Sequence, residues 1–316
     1  MLFHRISVPT PFPVGPVNVY LIEEDPLTLI DTGPRTDQAI AALRSGLSAI
    51  GYKLSDIKRV ILTHAHADHT GLAKLIVEES AGKAFIHAWD APAVAGPDDY
   101  SSQRRLLTAA GVHEEAIEKM RSGYETLRRL SPRLSSVEIL EDEDDLEFEH
   151  ESLRVIHTPG HTPGSICLLR CSSRLMFAAD TVLKHITPNP VLNADPIDPR
   201  KRFQSLGEYL VSLARIRSLA PTLLKGGHGG DVTEYDQYFM RLRRFTEARQ
   251  SKLLSLIPPG GATAWVASSL LFPRANGHDK FLAVSETVAH LDYAVSEGRL
   301  TMDQDGAHEV YREIRD

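Results

Sequence analysis

The apolar positions of this chain switch repeatedly between a period of two and a period near 3.6. "VNVYLIEE" (17–24) and "LTLIDTG" (27–33) are short β-rich runs, separated by the turn signal Asp25–Pro26. "TDQAIAALRSGLSAIGY" (36–52) then sets apolar residues at helical spacing and ends near Gly51. "IKRVILTH" (57–64) predicts a buried strand, "TGLAKLIVEES" (70–80) a helix and "KAFIHA" (83–88) another strand. Residues 90–135 differ: "SSQRRLLTAAGVHEEAIEKMRSGYETLRRLSP" is helical in pattern and strongly charged, and predicts an inserted segment laid as a lid over one end of the sheet.

Strands return in "VEILED" (137–142), "LEFEHESLRVIHT" (146–158) and "SICLLRCSSRLMFAAD" (165–180). The acidic run "EDEDDLEFEHE" (141–151) reads as a solvated turn and strand edge. "DPRKRFQSLGEYLVSLARIRSLA" (198–220) predicts a helix, and "TLLKGGHGGD" (222–231) a strand entering a glycine turn. The last part changes character. "EYDQYFMRLRRFTEARQSKLLSLI" (234–257) predicts one long helix, broken by Pro258-Pro259-Gly260-Gly261; two more helical patterns follow, and "LTMDQDGAHEVYRE" (300–313) reads as a hairpin turning at Asp305–Gly306. Three helices and a hairpin suggest a small winged-helix-like domain. The expected division is therefore an α/β domain over 1–232, carrying the insert, and a second domain over 233–316.

Composition narrows the classes. At 316 residues a single core has usually stopped growing, which agrees with two domains. A net charge of −7 gives no overall footprint for nucleic acid or anionic membrane. No apolar run approaches the ~20 residues of a membrane helix, and the first twenty residues lack a basic region followed by an apolar one. A cytoplasmic protein is expected. Cys167 and Cys171 stand four apart in a strand-like run, about 13 Å at ~3.3 Å per residue, too far for a disulfide. Two free, buried thiols are expected.

"ILTHAHADHTG" (61–71) crowds His64, His66, Asp68 and His69 into one turn after an apolar run. A divalent metal needs imidazoles or carboxylates converging on it at about 2.0–2.2 Å. His64 and His66 can face one ion from the turn leaving a strand, and Asp68 and His69 come round toward a second position. "VIHTPGHTPGS" places His161 in a Pro-Gly turn after a strand, "RLMFAADT" ends a strand with Asp180, and "LLKGGHGGD" places His228 in a glycine turn. All lie at the C-terminal ends of strands, so one edge of the sheet can gather seven groups.

The blocks "DTG" at Asp31, "THAHADH", "PGH" at His161, "AAD" at Asp180 and "GGHGG" at His228, in this order, resemble the metallo-β-lactamase superfamily over about residues 1–230. The resemblance implies a four-layer αββα sandwich with metals at one edge between the sheets. It implies that His64, His66 and His161 hold the first of two divalent ions, that Asp68, His69 and His228 hold the second, and that Asp180 bridges them. Asp31 matches the family aspartate that holds a ligating imidazole by hydrogen bond, and His157 is a further candidate for that role. The ligand set has no cysteine, unlike the true zinc-cysteine β-lactamases, and is similar to the glyoxalase II and lactonase branches.

Two ions can present a bridging hydroxide at neutral pH, with Asp68 orienting it as well as ligating. Zinc is the expected metal; iron and manganese also suit mixed imidazole and carboxylate ligands. Lys184, His185 and Asn189, after the bridging aspartate, are the candidate substrate contacts. The expected function is hydrolysis of a small acyl substrate: a thioester, a lactone or a related ester or amide. One alternative is an endonuclease on single-stranded RNA, because the C-terminal module resembles the winged-helix tail of the LACTB2-like branch. Residues 240–316 hold ten Lys/Arg and ten Asp/Glu, however, so packing or homodimer formation is the expected use of that module. The other alternative is a mononuclear-iron, sulfur dioxygenase-like enzyme.

Overall fold

The period-two runs pair as two sheets, in the computed structural model that describes residues 1–97 and 100–314. The first sheet has the order β1 (Phe3–Val8), β2 (Val17–Ile22), β3 (Thr28–Ile30), β4 (Arg59–Leu62), β5 (Lys83–His87), β6 (Glu138–Leu140). β1 to β3 are antiparallel, and β3 to β6 run parallel. The second sheet joins β7 (Asp145–Glu147), β8 (Ser152–His157), β9 (Ile166–Arg170), β10 (Leu175–Ala179) and β11 (Leu223–Gly226), with only the β10–β11 pair parallel.

β2 shows why the sheets stack. Its six residues are all buried. Val17, Val19 and Leu21 pack toward helices Asp37–Ala49 and Ala73–Ser80, while Tyr20 and Ile22 face Val155, Leu168 and Phe177 of the other sheet. Alternate residues thus serve two cores, as a strand covered on both faces must. Two stacked sheets with helices against the first agree with the layered sandwich expected from the sequence. β1 adds a strand that no motif marks: Ile6 and Val8 are buried and Arg5 and Ser7 exposed, a short alternation.

Contacts divide the chain into two units: Met1–Asp98 with Thr126–Pro188 and Ser212–Tyr235, and Asp99–Glu125 with Asn189–Val211 and Asp236–Asp316. The division differs from the expected 1–232 and 233–316, and most of the insert does not stand as a separate lid. Leu106, Leu107 and Ile117 pack in one core with Leu253, Val284, Leu291 and Tyr311, so the insert's apolar side is used by the C-terminal helices. In this second unit the Arg202 side chain is only 8% exposed; it donates to both oxygens of Asp292 at 2.6 Å, to Glu309 at 2.7 Å and to the Tyr311 hydroxyl at 2.9 Å. One cation on two carboxylates fixes the segment Asn189–Val211 to the helix Gly277–Ser296 and to β13 (His308–Glu313).

β13 pairs with β12 (Leu300–Asp305) in the expected hairpin, with Asp305 opposite His308. The central residues are therefore Gly306 and Ala307, one position later than expected. Gly306 has φ +61° and supplies the positive φ that a two-residue hairpin turn needs. The cysteines differ too. Cys167 lies buried in β9, but Cys171 falls just beyond the strand and is exposed, so only one of the two free thiols is in a core. Among the described residues no helix is long and apolar enough to cross a membrane.

Buried His290 donates from Nδ1 to Gln250 Oε1 at 2.6 Å, and Gln250 returns a bond to the His290 carbonyl at 3.0 Å. Burial, and then the charge of Arg249, push its pKa down to about 4 from 6.5. Between those values only the unfolded chain binds the proton. The contribution to stability is complete above about pH 6.5 and is lost as pH falls toward about 4, amounting to about 2 kcal/mol near pH 5. The urea midpoint of the wild type should therefore fall more between pH 7 and 5 than that of His290→Gln; equal slopes would refute this account.

Candidate metal centre

The ligand-type residues sit where strands of the two sheets end. β4 delivers His64, and the chain turns through His66 into the short helix Ala67–Thr70, which carries Asp68 and His69. β8 leads to the turn with His161, β10 ends one residue before Asp180, and β11 runs into the turn with His228. Nitrogen or oxygen atoms of His64, His66 and His161 lie within 4.8 Å of one another; so do those of His64, His69 and Asp180, and of Asp68, His69 and His228. Six of these seven side chains are buried, and His66 is partly open to solvent.

Local backbone aims them. The β10–β11 register shifts between Phe177 and Ala179, and Ala179 has φ +43°. A bulge of this kind turns the next side chain out of the strand's alternation, and here that side chain is Asp180. Gly227 then has to lack a side chain: a Cβ there would stand 2.3 Å from Asp180 Oδ1 and 2.9 Å from His69 Cε1. Asn18 donates from Nδ2 to the carbonyls of Gly226 and Gly229, both at 3.0 Å, and the Tyr20 hydroxyl donates to Gly226 at 2.8 Å. Neither residue figures in the sequence analysis. The readable signal is one polar residue in an otherwise apolar strand, "VNVYLI".

Each of three imidazoles is held by its Nδ1. His69 Nδ1 donates to Asp31 Oδ2 at 2.8 Å, and His228 Nδ1 donates to the Pro16 carbonyl at 2.9 Å. His64 Nδ1 lies 3.2 Å from Thr63 Oγ1. Asp31 also accepts from the Thr63 amide at 2.9 Å and from its hydroxyl. The backbone of Asp31 is left-handed, with φ +60°, which an aspartate tolerates better than most residues.

Two of the opposite nitrogens, those of His69 and His228, have no such partner. His69 Nε2, His228 Nε2 and Asp180 Oδ1 are buried without a hydrogen bond. They face one another: His69 Nε2 lies 3.5 Å from Asp180 Oδ1, and His228 Nε2 lies 3.3 Å from Asp68 and 3.6 Å from Asp180. His64 Nε2 meets His66 Nδ1 at 3.1 Å. Buried polar atoms are normally satisfied, so lone pairs converging on a common space mark a place for a cation.

The electrostatics agree. Burial, then His69, keep His64 neutral, and burial, then His161, push His66 down to about 3. Burial would raise the carboxyls of Asp68 and Asp180, but His69 above all more than offsets it, and both are held below the usual range. His69 is raised, because Asp31, Asp180 and Asp68 outweigh its burial. His64 and His66 are thus neutral beside ionised Asp68 and Asp180, as a divalent ion requires, whereas His69 and His228, the latter raised by Asp68 and Asp180 against its burial, would give up a proton to the ion. The donors are nitrogen and oxygen only, which fits zinc, iron or manganese.

The remaining candidates are placed differently. His157 bonds through Nε2 to the Pro163 carbonyl at 2.8 Å and stacks on His87 at 3.9 Å; it steadies the turn that carries His161. Lys184 is exposed, with Cδ and Nζ 3.5 and 3.9 Å from where a Cβ on Gly230 would stand, beside the His228 turn. His185 is exposed. Asn189 belongs to the second unit, where its Nδ2 donates to the Leu282 carbonyl at 3.2 Å and it lines a cavity of about 470 Å³ with Phe272, Leu282 and Glu286.

The metallo-beta-lactamase superfamily model matches residues 12–236. The chain is 34% identical over 309 residues to the probable metallo-hydrolase YqjP of Bacillus subtilis (strain 168), covering 95% of this chain and 94% of that protein. It is 27% identical over 159 residues to an acyl-coenzyme A thioesterase of Gallus gallus, half of each chain. Among solved structures, a metallo-beta-lactamase family protein of Thermus thermophilus superposes with a TM-score of 0.82 at 30% identity, covering 99% of this chain and 98% of that one.

Removing the carboxylate that orients His69 tests the metal fit. Asp31→Asn retains the size of the residue and its tolerance for a left-handed backbone. Metal affinity, measured by titration of the metal-free protein, should drop by about 10–100-fold. An unchanged affinity would show that the Asp31–His69 bond does not serve the metal.

Proposed function

The chain belongs to the metallo-beta-lactamase superfamily, and from that premise we propose that it is a two-metal hydrolase of small acyl substrates, a thioester or lactone foremost. That it is a metallo-hydrolase follows from the family and from YqjP; the ion count, zinc as the metal and the acyl substrate are the proposal. The observation that carries it is the convergence of His69 Nε2, His228 Nε2 and Asp180 Oδ1, buried and without hydrogen bonds, beside the three-histidine group of His64, His66 and His161. On this reading His64, His66 and His161 would hold one ion and Asp68, His69 and His228 the other, with Asp180 beside histidines of both groups.

Bound ions supply ionisation of water near neutral pH and polarisation of the substrate oxygen. The residues supply the rest. Asp68, kept ionised, accepts a hydrogen bond from the attacking water and orients it. Partly open His66 marks the side from which substrate enters. Lys184, beside the His228 turn, is the candidate for an anionic group on the substrate. The acyl-coenzyme A thioesterase among the relatives supports a thioester over a phosphodiester. The C-terminal helices and hairpin are read as a winged-helix-like packing module: Arg249 pairs with Glu286 at 2.9 Å and Arg243 with Glu247 at 3.4 Å, so two of the four arginines of the basic stretch "RLRRFTEARQ" are paired with carboxylates of the module itself.

The test is a turnover panel on zinc-, manganese- and iron-loaded protein with acyl-coenzyme A, lactone, single-stranded RNA and persulfide. Acyl substrates should turn over, and Asp68→Asn should lower kcat/KM by about 100-fold or more with unchanged circular dichroism. His66→Ala should lose metal and activity together. Cleavage of RNA alone, or oxygen uptake with persulfide alone, would replace the proposal.

A further inference from the structure

Asp90 lies just past β5 and carries none of the family's sequence blocks. It is 3% exposed. Its Oδ2 accepts from the Ala65 amide at 2.8 Å and from Thr162 Oγ1 at 2.7 Å, and its Oδ1 accepts from the Gly164 amide at 2.8 Å. Ala65 stands between His64 and His66, and Thr162 follows His161. One carboxylate thus joins the turn that carries two histidines of the first group to the turn that carries the third. The turn is built to admit it: a Cβ on Gly164 would meet Asp90 N at 2.6 Å and its Cβ and Cγ at 2.7 Å. Thr162 is held in turn, its amide donating to Ser165 Oγ at 3.0 Å.

We propose that Asp90 is the positioning residue of the His64–His66–His161 ion, setting the separation of its two ligand-bearing turns. Three histidines from two turns form a site only if the turns keep their spacing, and β4 and β8 lie in different sheets. The second group has its own holders in Asp31 and Pro16. The first group's shared holder is a side chain that touches no ligand atom and acts through backbone. Both oxygens accept from backbone N–H groups, which cannot reverse their role. Asparagine in the same place would turn its NH₂ toward an N–H or hydroxyl donor and leave at least one strap open.

This inference rests on reading the seven residues as a metal centre. The test is titration of metal-free wild type, Asp90→Asn and Thr162→Val with Co²⁺, followed by its absorption bands, with melting of each metal-free protein beside it. The wild type should take up two ions. Asp90→Asn should bind one of them about 10–100-fold more weakly. Thr162→Val, which removes one strap without changing size, should show a smaller loss on the same ion and melt close to the wild type. Should Asp90→Asn fail to fold, Thr162→Val decides. Wild-type binding in a folded Asp90→Asn, or a lower melting temperature with unchanged Co²⁺ affinity, would reduce Asp90 to a structural residue and overturn the proposal. A wild type that takes up no Co²⁺ would overturn the metal reading itself, and this inference with it.

Discussion

An imidazole pinned through one nitrogen can offer only the other. His69 is pinned by Asp31, His228 by the Pro16 carbonyl, and His64 lies against the Thr63 hydroxyl. These contacts set which nitrogen carries hydrogen and which way the lone pair points. The pins come from the end of β3, the approach to β2 and the end of β4. Sheet register therefore becomes ligand direction. A slip of one residue in β3 or β4 would carry Asp31 or His64 to the opposite face, and the apolar alternation of these strands between two cores forbids that slip.

The same logic places Asp180. Its strand, Leu175–Ala179, is wholly buried, and a regular continuation would direct the next side chain by simple alternation. The bulge and the left-handed Ala179 break that rule where it matters. The strain is local, of order 1–3 kcal/mol. It is held by Gly227, whose amide donates to the Ala179 carbonyl at 2.8 Å and whose missing side chain leaves the space that Asp180 fills.

How much of this is legible in the sequence follows from distance along the chain. His64, His66, Asp68 and His69 share one turn, so their spacing alone implies chemistry. His161, Asp180 and His228 are legible because each ends an apolar run. Asp90 is not: its partners lie 25, 72 and 74 residues away, and a lone aspartate after a strand reads like any helix cap. The helices of residues 100–130 are legible as helices, but what they pack on is not. Leu106, Leu107 and Ile117 show an apolar face without naming its partner, and most of the partners come more than a hundred residues later. Asn189 stands close to Asp180 in sequence, which suggests a neighbour of the metal groups, whereas its side chain bonds within the second unit.

The second unit is assembled from three separate stretches, and its core uses all three: Leu106 and Ile117 from the first, Leu192 from the second, Leu253 and Tyr311 from the last. A ribosome delivers them in that order. The sheets are complete once β11 has emerged, but the early stretches must wait with their apolar faces uncovered until the final helices arrive. During that interval Arg202 has neither Asp292 nor Glu309 to neutralise it, and its charge works against burial of the strip around it. The ion pair that locks the finished unit can therefore form only after the last helix and hairpin have been made.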